Sequence, residues 1–345
     1  NILKLIKPLF LDELWSEFES LKGNKNKLPE FHKKISHLKF LDPACGCGNF
    51  LVITYRELRL LELEVLRATY KSGQGVLDVS DIIWLDVDMM CGIEYEEFPA
   101  RIAEVAMWLI DHQMNMQISN EFGQYFARLP LKKSAKIVHG DALEVNWEEV
   151  VTKNQLSYII GNPPFIGSNI MSQFQRNQIV KEFENSQGSG VLDYVTGWYL
   201  KAAKYIQYTK IKVAFVSTNS IVQGEQTSLL WGQMINKYGI KIHFAHRTFK
   251  WSNEAKGNAG VDCVIIGFAG FDSSNKCIYD YEDIKGEPHE IKVKNINAYL
   301  VDAKEIFVNK RTKPLCNVPK ILKGNYYAKS EGLIIEENDL DSLIS

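Results

Sequence analysis

Along the 345-residue chain, apolar positions recur every three to four residues in some stretches and form short unbroken runs in others. Ile2, Leu3, Ile6, Leu9, Phe10, Leu14, Trp15, Phe18 and Leu21 keep the helical spacing, so residues 1–36 are expected to be helical. Pro8 marks a start or a kink, and the polar stretch 22–27 a loop. Residues 37–41 predict a first strand, and 51–70 a helix with Leu on one face and Arg and Glu on the other. Residues 89–94 predict a second strand. The helix expected at 99–116 would pack on the sheet through Ile102, Val105, Ala106, Leu109 and Ile110, with Trp108 at or near the core. Further strands are predicted at 135–143, 158–161, 212–216, 240–244 and 261–268, with a helix at 191–208 before the fifth. Strands alternating with helices define an α/β fold with a parallel sheet.

Where these runs stop, the sequence becomes chemically specific. The fourth strand ends in Gly161-Asn162-Pro163-Pro164-Phe165, because neither proline can donate to a ladder. Asn162 offers a side-chain carbonyl, Pro163 a main-chain carbonyl and Phe165 a flat face, a set that suits a planar ring bearing an exocyclic amine. An ordinary Asn-Pro-Pro turn closing a strand would carry the same residues. The first strand runs into Asp42-Pro43-Ala44-Cys45-Gly46-Cys47-Gly48-Asn49-Phe50, and this order of strand, small-residue turn and helix is what a nucleotide-binding turn requires. It lacks the third glycine of a pyrophosphate turn and opens on an acid, which favours a cationic, amino-acid-bearing ligand over a phosphate. Glu94 closes the second strand, placed for ribose hydroxyls, and Asp141 closes the third. Three acids at successive strand ends fit a ligand lying across the carboxyl edge of the sheet.

Composition narrows the partners. A net charge of −2 with 24% charged residues gives no global basic signature. Any nucleic-acid contact falls to local patches, such as His246-Arg247-Thr248-Phe249-Lys250-Trp251-Ser252-Asn253, which mixes cations with rings. A solvated hairpin fits that stretch as well. Six cysteines without a C-x-x-C pair read as reduced cytosolic thiols rather than metal ligands. No apolar run approaches the roughly 18 residues of a membrane span, and a cytoplasmic protein is expected. Residues 166–190 predict a long loop with one short helix. Beyond about residue 270, Lys310, Arg311, Lys313, Lys320 and Lys323 sit among prolines in what reads as a connecting arm. The chain opens at Asn1 rather than methionine, the expected start of an excerpt.

With these motifs together, the chain resembles the class I S-adenosylmethionine-dependent adenine-N6 DNA methyltransferases. Asp42 to Phe50 is similar to their cofactor motif and Asn162-Pro163-Pro164-Phe165 to their catalytic one. Gly92-Ile93-Glu94-Tyr95-Glu96-Glu97-Phe98 and His246 to Trp251 resemble the MmeI-type single-chain restriction-modification enzymes more closely. The resemblance implies a Rossmann-like, mostly parallel seven-stranded sheet with helices on both faces. It implies an N-terminal helical segment at 1–36, a methyltransferase domain at 37–270 and a connecting arm at 271–345 leading to a target-recognition domain. By resemblance, Asp42, Ala44, Gly46, Gly48, Asn49 and Phe50 would hold the methionine part of S-adenosylmethionine, Glu94 the ribose, and Asp141, beside Ala142, the adenine amine. Asn162 and the Pro163 carbonyl would accept from the target amine, Phe165 would stack on a flipped adenine in duplex DNA, and Trp251 or Phe249 would cover its other face, with Arg247 near the DNA. No metal is implied. The family's aromatic-Thr motif, its Asp…Glu-x-Lys nuclease motif and a full recognition domain do not occur here, so weakened cofactor binding and little intrinsic sequence specificity are expected. A protein glutamine-amide methyltransferase, a non-catalytic DNA-binding module and a phage-exclusion methyltransferase remain as alternatives.

Overall fold

In a computed structural model, residues 1–70, 78–126, 134–251 and 261–309 are described. Ile2–Ile6 (α1), a π-helical turn at Lys7–Leu11 and Asp12–Leu21 (α2) form continuous helical backbone. The wide turn falls where Pro8 has no N–H to give to the preceding turn. Leu28–Ser36 (α3) leads into Phe40–Asp42 (β1), followed by Asn49–Thr69 (α4), Met90–Glu94 (β2), Glu97–Phe122 (α5) and Lys136–His139 (β3). Trp147–Val150 (α6), Tyr158–Gly161 (β4), Gln173–Glu182 (α7), Thr196–Tyr205 (α8), Lys212–Thr218 (β5) and Gly224–Gly232 (α9) come next. Lys241–Trp251 (β6), Val261–Ala269 (β7), Lys276–Asp280 (β8) and His289–Val293 (β9) complete the described elements.

The strands form one mixed sheet of nine, in the order β3-β2-β1-β4-β5-β7-β6-β8-β9, where seven were expected. The two extra strands lie in residues assigned from sequence to the connecting arm. β8 pairs parallel to β6 and β9 antiparallel to β8, an extension that short, half-exposed strands do not announce by pattern. From β3 to β5 every pairing is parallel, and β7 runs antiparallel to β5 and β6. Residues Asn1–Val308 form one compact unit; the second, Asn309–Ser345, lies beyond the described residues apart from Asn309, as do the cations singled out at 310–323, Ser252, Asn253 and most of the loop after α4.

Strand alternation divides the core in two. Leu41, Ile159, Val213 and Phe215 point to a layer built with α6, α7, α8 and α9. Phe40, Ile160, Ala214 and Val216 point to the opposite layer, built with α1 to α5. The N-terminal helices belong to that second layer, where Phe10 lies 5.1 Å from the Phe40 ring and 4.8 Å from that of Tyr158. α5 departs from expectation. It buries Ala103, Met107, Ile110, Met114 and Ile118, whereas Val105, Trp108 and Leu109 are exposed at 53, 42 and 46%. Both stripes are apolar, so periodicity alone could not choose the inner one.

The connectivity places a crevice. The chain steps outward from β1 to β2 to β3, then returns to pair β4 on the other side of β1. At such a switch point the segments leaving neighbouring strands diverge, opening a cleft beyond their carboxyl ends. The segments that border it follow Asp42 and Gly161.

Candidate active site

The turn after β1 is shaped by two left-handed glycines, Gly46 (φ 54°) and Gly48 (φ 85°). A Cβ on Gly48 would stand 3.1 Å from that of Ala103 in α5, so the close approach of α4 to α5 also requires glycine. Glu94, at the end of β2, clips the turn from the side: Oε2 accepts from the Gly46 N–H at 2.8 Å and Oε1 from that of Glu96 at 3.0 Å. From the other side the Trp198 indole donates to the Pro43 carbonyl at 2.9 Å. Asp141, beyond β3, accepts from the Leu143 N–H at 2.9 Å through Oδ1 and from the Gln178 amide at 2.7 Å through Oδ2.

These groups surround a cavity of about 520 Å³. Six of the residues expected at the site line it together: Ala44, Gly46, Glu94, Asp141, Ala142 and Asn162. Asn162 is the exceptional one. Its Oδ1 is buried and has no hydrogen-bond partner among the described residues. A buried carbonyl left without a donor costs on the order of 1–3 kcal/mol, so an orphan on a residue that lines a cavity marks a place where a ligand donor fits. Tyr95 and Pro164, from motifs named in the sequence, add wall together with Ile166, Phe174, Tyr194 and Trp198, which were not singled out from sequence. Tyr95 was discoverable as the neighbour of Glu94, but Phe174, Tyr194 and Trp198 reach the cavity only through tertiary packing.

Other expected residues support the cavity without lining it. Gly48 and Asn49 form the start of α4, and Phe50 is buried with its ring 6.4 Å from, and nearly parallel to, that of Trp251. Pro163 is buried, and Phe165 packs half-buried on the layer of α1 to α5. Asp42 is 1% exposed and sits under the turn, with Oδ1 accepting from the Ala44 N–H at 3.0 Å. Burial pushes its carboxyl up to about 8, against the pull of that N–H and with a further push from Glu94. Enclosure thus favours the protonated form of the acid beside the turn. Glu94 and Asp141 are the acids that line the cavity.

The stretch from His246 to Trp251 is the second half of β6, buried or half-buried and paired antiparallel with β7, so it is one arm of a hairpin that is packed rather than solvated. Phe249 is 2% exposed and stacks on Tyr281 with ring centroids 5.3 Å apart, so it is core rather than a cover for a base. Burial lowers His246 to about 3. Arg247 is engaged within the protein, its Nη1 2.9 Å from Asp280 and its Nε donating to the Leu300 carbonyl. Trp251 keeps partial exposure beside Phe50. Among the described residues no group of three or more His, Cys, Asp or Glu could hold a metal, and no helix is long and apolar enough to cross a membrane.

A glycine-bent turn, acids at neighbouring strand ends and an orphaned asparagine carbonyl thus meet at one cavity. The chain belongs to the MmeI DNA-methyltransferase domain family, whose model matches residues 18–280. It is 39% identical over 338 residues to DNA methyltransferase A of Bacillus subtilis (strain 168), covering 97% of this chain and 37% of that protein. It is also similar to the solved structure of the Type IIL restriction-modification enzyme MmeI in complex with DNA, with a TM-score of 0.90 and 58% identity over 92% of this chain and 43% of that one. The chain thus spans about two fifths of the length of these relatives.

Proposed function

We propose that this chain transfers a methyl group from S-adenosylmethionine to the N6 amine of an adenine turned out of duplex DNA, as the modification part of a restriction-modification system. The observation that carries this is the Asn162 Oδ1, buried and without a donor on the same cavity as Glu94 and Asp141. The strand order β3-β2-β1-β4-β5-β7-β6 supports reading the sheet as a class I methyltransferase fold, with β8 and β9 as an addition at the edge. Membership of the MmeI methyltransferase family supports the same chemistry.

The residues fit the donor. The turn with Ala44 and Gly46 brings bare backbone to the cavity wall, where its methionine part would lie. Glu94 and Asp141 each have both oxygens hydrogen-bonded, yet a carboxylate accepts about four such bonds, so capacity remains for ribose hydroxyls and a purine amine. When bound, S-adenosylmethionine supplies an electrophilic methyl on a sulfonium. Asn162, with the Pro163 carbonyl, would accept from the two N–H groups of the target amine. That would draw the nitrogen lone pair out of the ring and point it at the methyl; as the N–C bond forms, the S–C bond would break with its electron pair staying on the thioether, and the amine proton would pass to solvent at the cavity mouth. Apolar wall from Ile166, Phe174 and Tyr194 would exclude water and hold the flipped base.

The test is transfer of labelled methyl to duplex DNA, followed by digestion to nucleosides. Label in N6-methyladenine, and a loss of about 10²-fold or more in kcat for Asn162→Ala with donor binding retained, is the expected result. Label in cytosine or in protein glutamine, or an Asn162→Ala variant with normal kcat, overturns the proposal.

A further inference from the structure

The two oxygens of Asp141 are held in different ways. Oδ1 takes the N–H of Leu143 two residues on, a turn that Asp makes by itself. Oδ2 is held by a residue 37 positions away, Gln178, in the middle of α7. Gln178 is 5% exposed, and its Oε1 accepts the hydroxyl proton of Tyr194 at 2.6 Å. Burial, with the charges of Asp141, Tyr95 and Glu144 behind it, pushes the Tyr194 phenol upward, so it keeps its proton and donates. Its partner atom on Gln178 must then be the oxygen, which leaves the NH2 end facing Asp141 at 2.7 Å. The reversed amide would set an oxygen against the carboxylate.

α7 is anchored so that this chain of hydrogen bonds has a fixed origin. Ser172 and Gln175 cap each other's backbone at its start, and Arg176 donates to the carbonyls of Gly190 and Ser168, each at 2.6 Å. Such ties are what a stretch expected to be mostly loop needs in order to hold one side chain in place.

We propose that Gln178, oriented by Tyr194, is a positioning residue that fixes Asp141 as an acceptor toward the cavity. The site thereby selects a nucleoside with an exocyclic amine over one with a carbonyl at the same ring position. This rests on the function proposed above, in which Asp141 meets the purine amine of the methyl donor. A carboxylate held by two N–H groups is acceptor-only; against a purine carbonyl it would place oxygen on oxygen, and a site built for a donor rejects an analogue lacking one.

The test is calorimetric titration of the intact protein with S-adenosylhomocysteine and with S-inosylhomocysteine, which carries a carbonyl in place of the amine. The wild type is expected to prefer the adenosyl ligand by about 100-fold or more. Gln178→Ala should weaken the adenosyl ligand about tenfold and leave the inosyl ligand unchanged, so the ratio contracts about tenfold. Tyr194→Phe frees the amide to turn and should contract the ratio in the same direction; if Gln178→Ala does not fold, this variant carries the test. A purely structural role would weaken both ligands by one factor, and an unchanged ratio overturns the proposal. A wild type that binds the adenosyl ligand without preference overturns it while leaving the methyl-donor function standing. A wild type that binds neither ligand overturns both.

Discussion

At the scale of single residues, the two orphaned oxygens at the strand ends carry different consequences. Asn162 Oδ1 belongs to a residue that lines the cavity, whereas Asp42 Oδ2 is enclosed beneath the turn, where a Cβ on Gly161 would come within 2.6 Å of its partner oxygen Oδ1. Folding takes the Asp42 carboxyl from its ordinary 3.8 to about 8. Between about pH 4 and pH 8 the folded protein therefore retains a proton that the unfolded chain has released, and unfolding free energy falls as pH rises through that window. Above about pH 8 this contribution is constant. Asp42→Asn keeps an acceptor for the Ala44 N–H and cannot ionise. The difference in unfolding free energy between variant and wild type, from urea titrations at pH 5 to 9, should grow in favour of the variant by on the order of a few kcal/mol. A difference that stays flat across that range would show that Asp42 is ionised in the folded state. The role of Gly46 and Gly48 was legible from sequence because a small-residue turn between strand and helix has few alternatives. The upward push on the Asp42 carboxyl was not, since it depends on enclosure by residues more than a hundred positions away.

At the scale of elements, the helices beneath the turn are tied by a buried ionic network. Arg59 of α4 donates through Nη1 to Asp111 of α5 and to the Tyr55 hydroxyl, each at 2.8 Å, and through Nη2 to Asn115, while its Nε lies 2.9 Å from Glu62. The other Glu62 oxygen lies 2.8 Å from His32 of α3 and accepts the N–H groups of Trp84 and Leu85. Burial opposes ionisation of Glu62, yet the His32 hydrogen bond and the Arg59 charge hold its carboxyl below the ordinary glutamate value. Removing the cation alone would strand two buried carboxylates. Arg59→Met is therefore expected to cost about 3–5 kcal/mol of unfolding free energy, measured by urea titration; a loss below about 1 kcal/mol would mean that the network is not what binds α3 to α4 and α5. The helices α1 to α5 and α8 and the strands β1 to β7 were readable from periodicity and from the strand, turn, helix sequence of motifs. Which stripe of α5 is buried, the strand character of the run from His246 to Trp251 and the hold of α7 on Asp141 were not. Each is decided by partners distant in sequence, to which local spacing is blind.

For the whole molecule, the energetics of reaching a paired base set the last expectation. In the reaction proposed above, an adenine in duplex DNA has to leave its stack and its partner to reach the cavity, at a cost of a few kcal/mol. Proteins that bind duplex DNA tightly draw much of that free energy from cations that displace counterions from phosphates. This chain carries a net charge of −2, and Arg247 and Lys250 of the stretch read as a nucleic-acid patch are paired with Asp280 and Asp262. Little electrostatic free energy is then available to offset extraction of the base. A substrate whose adenine is already poorly paired avoids much of that cost, and 1.4 kcal/mol corresponds to a factor of ten. Duplexes carrying the target adenine opposite cytosine should be methylated with a kcat/KM about 10- to 100-fold above the matched duplex. Raising salt from 50 to 200 mM should lower both values by a common, modest factor. Equal rates on matched and mismatched duplexes would mean that extraction is not limiting, and a steep salt dependence would reveal a phosphate-binding surface that the net charge conceals.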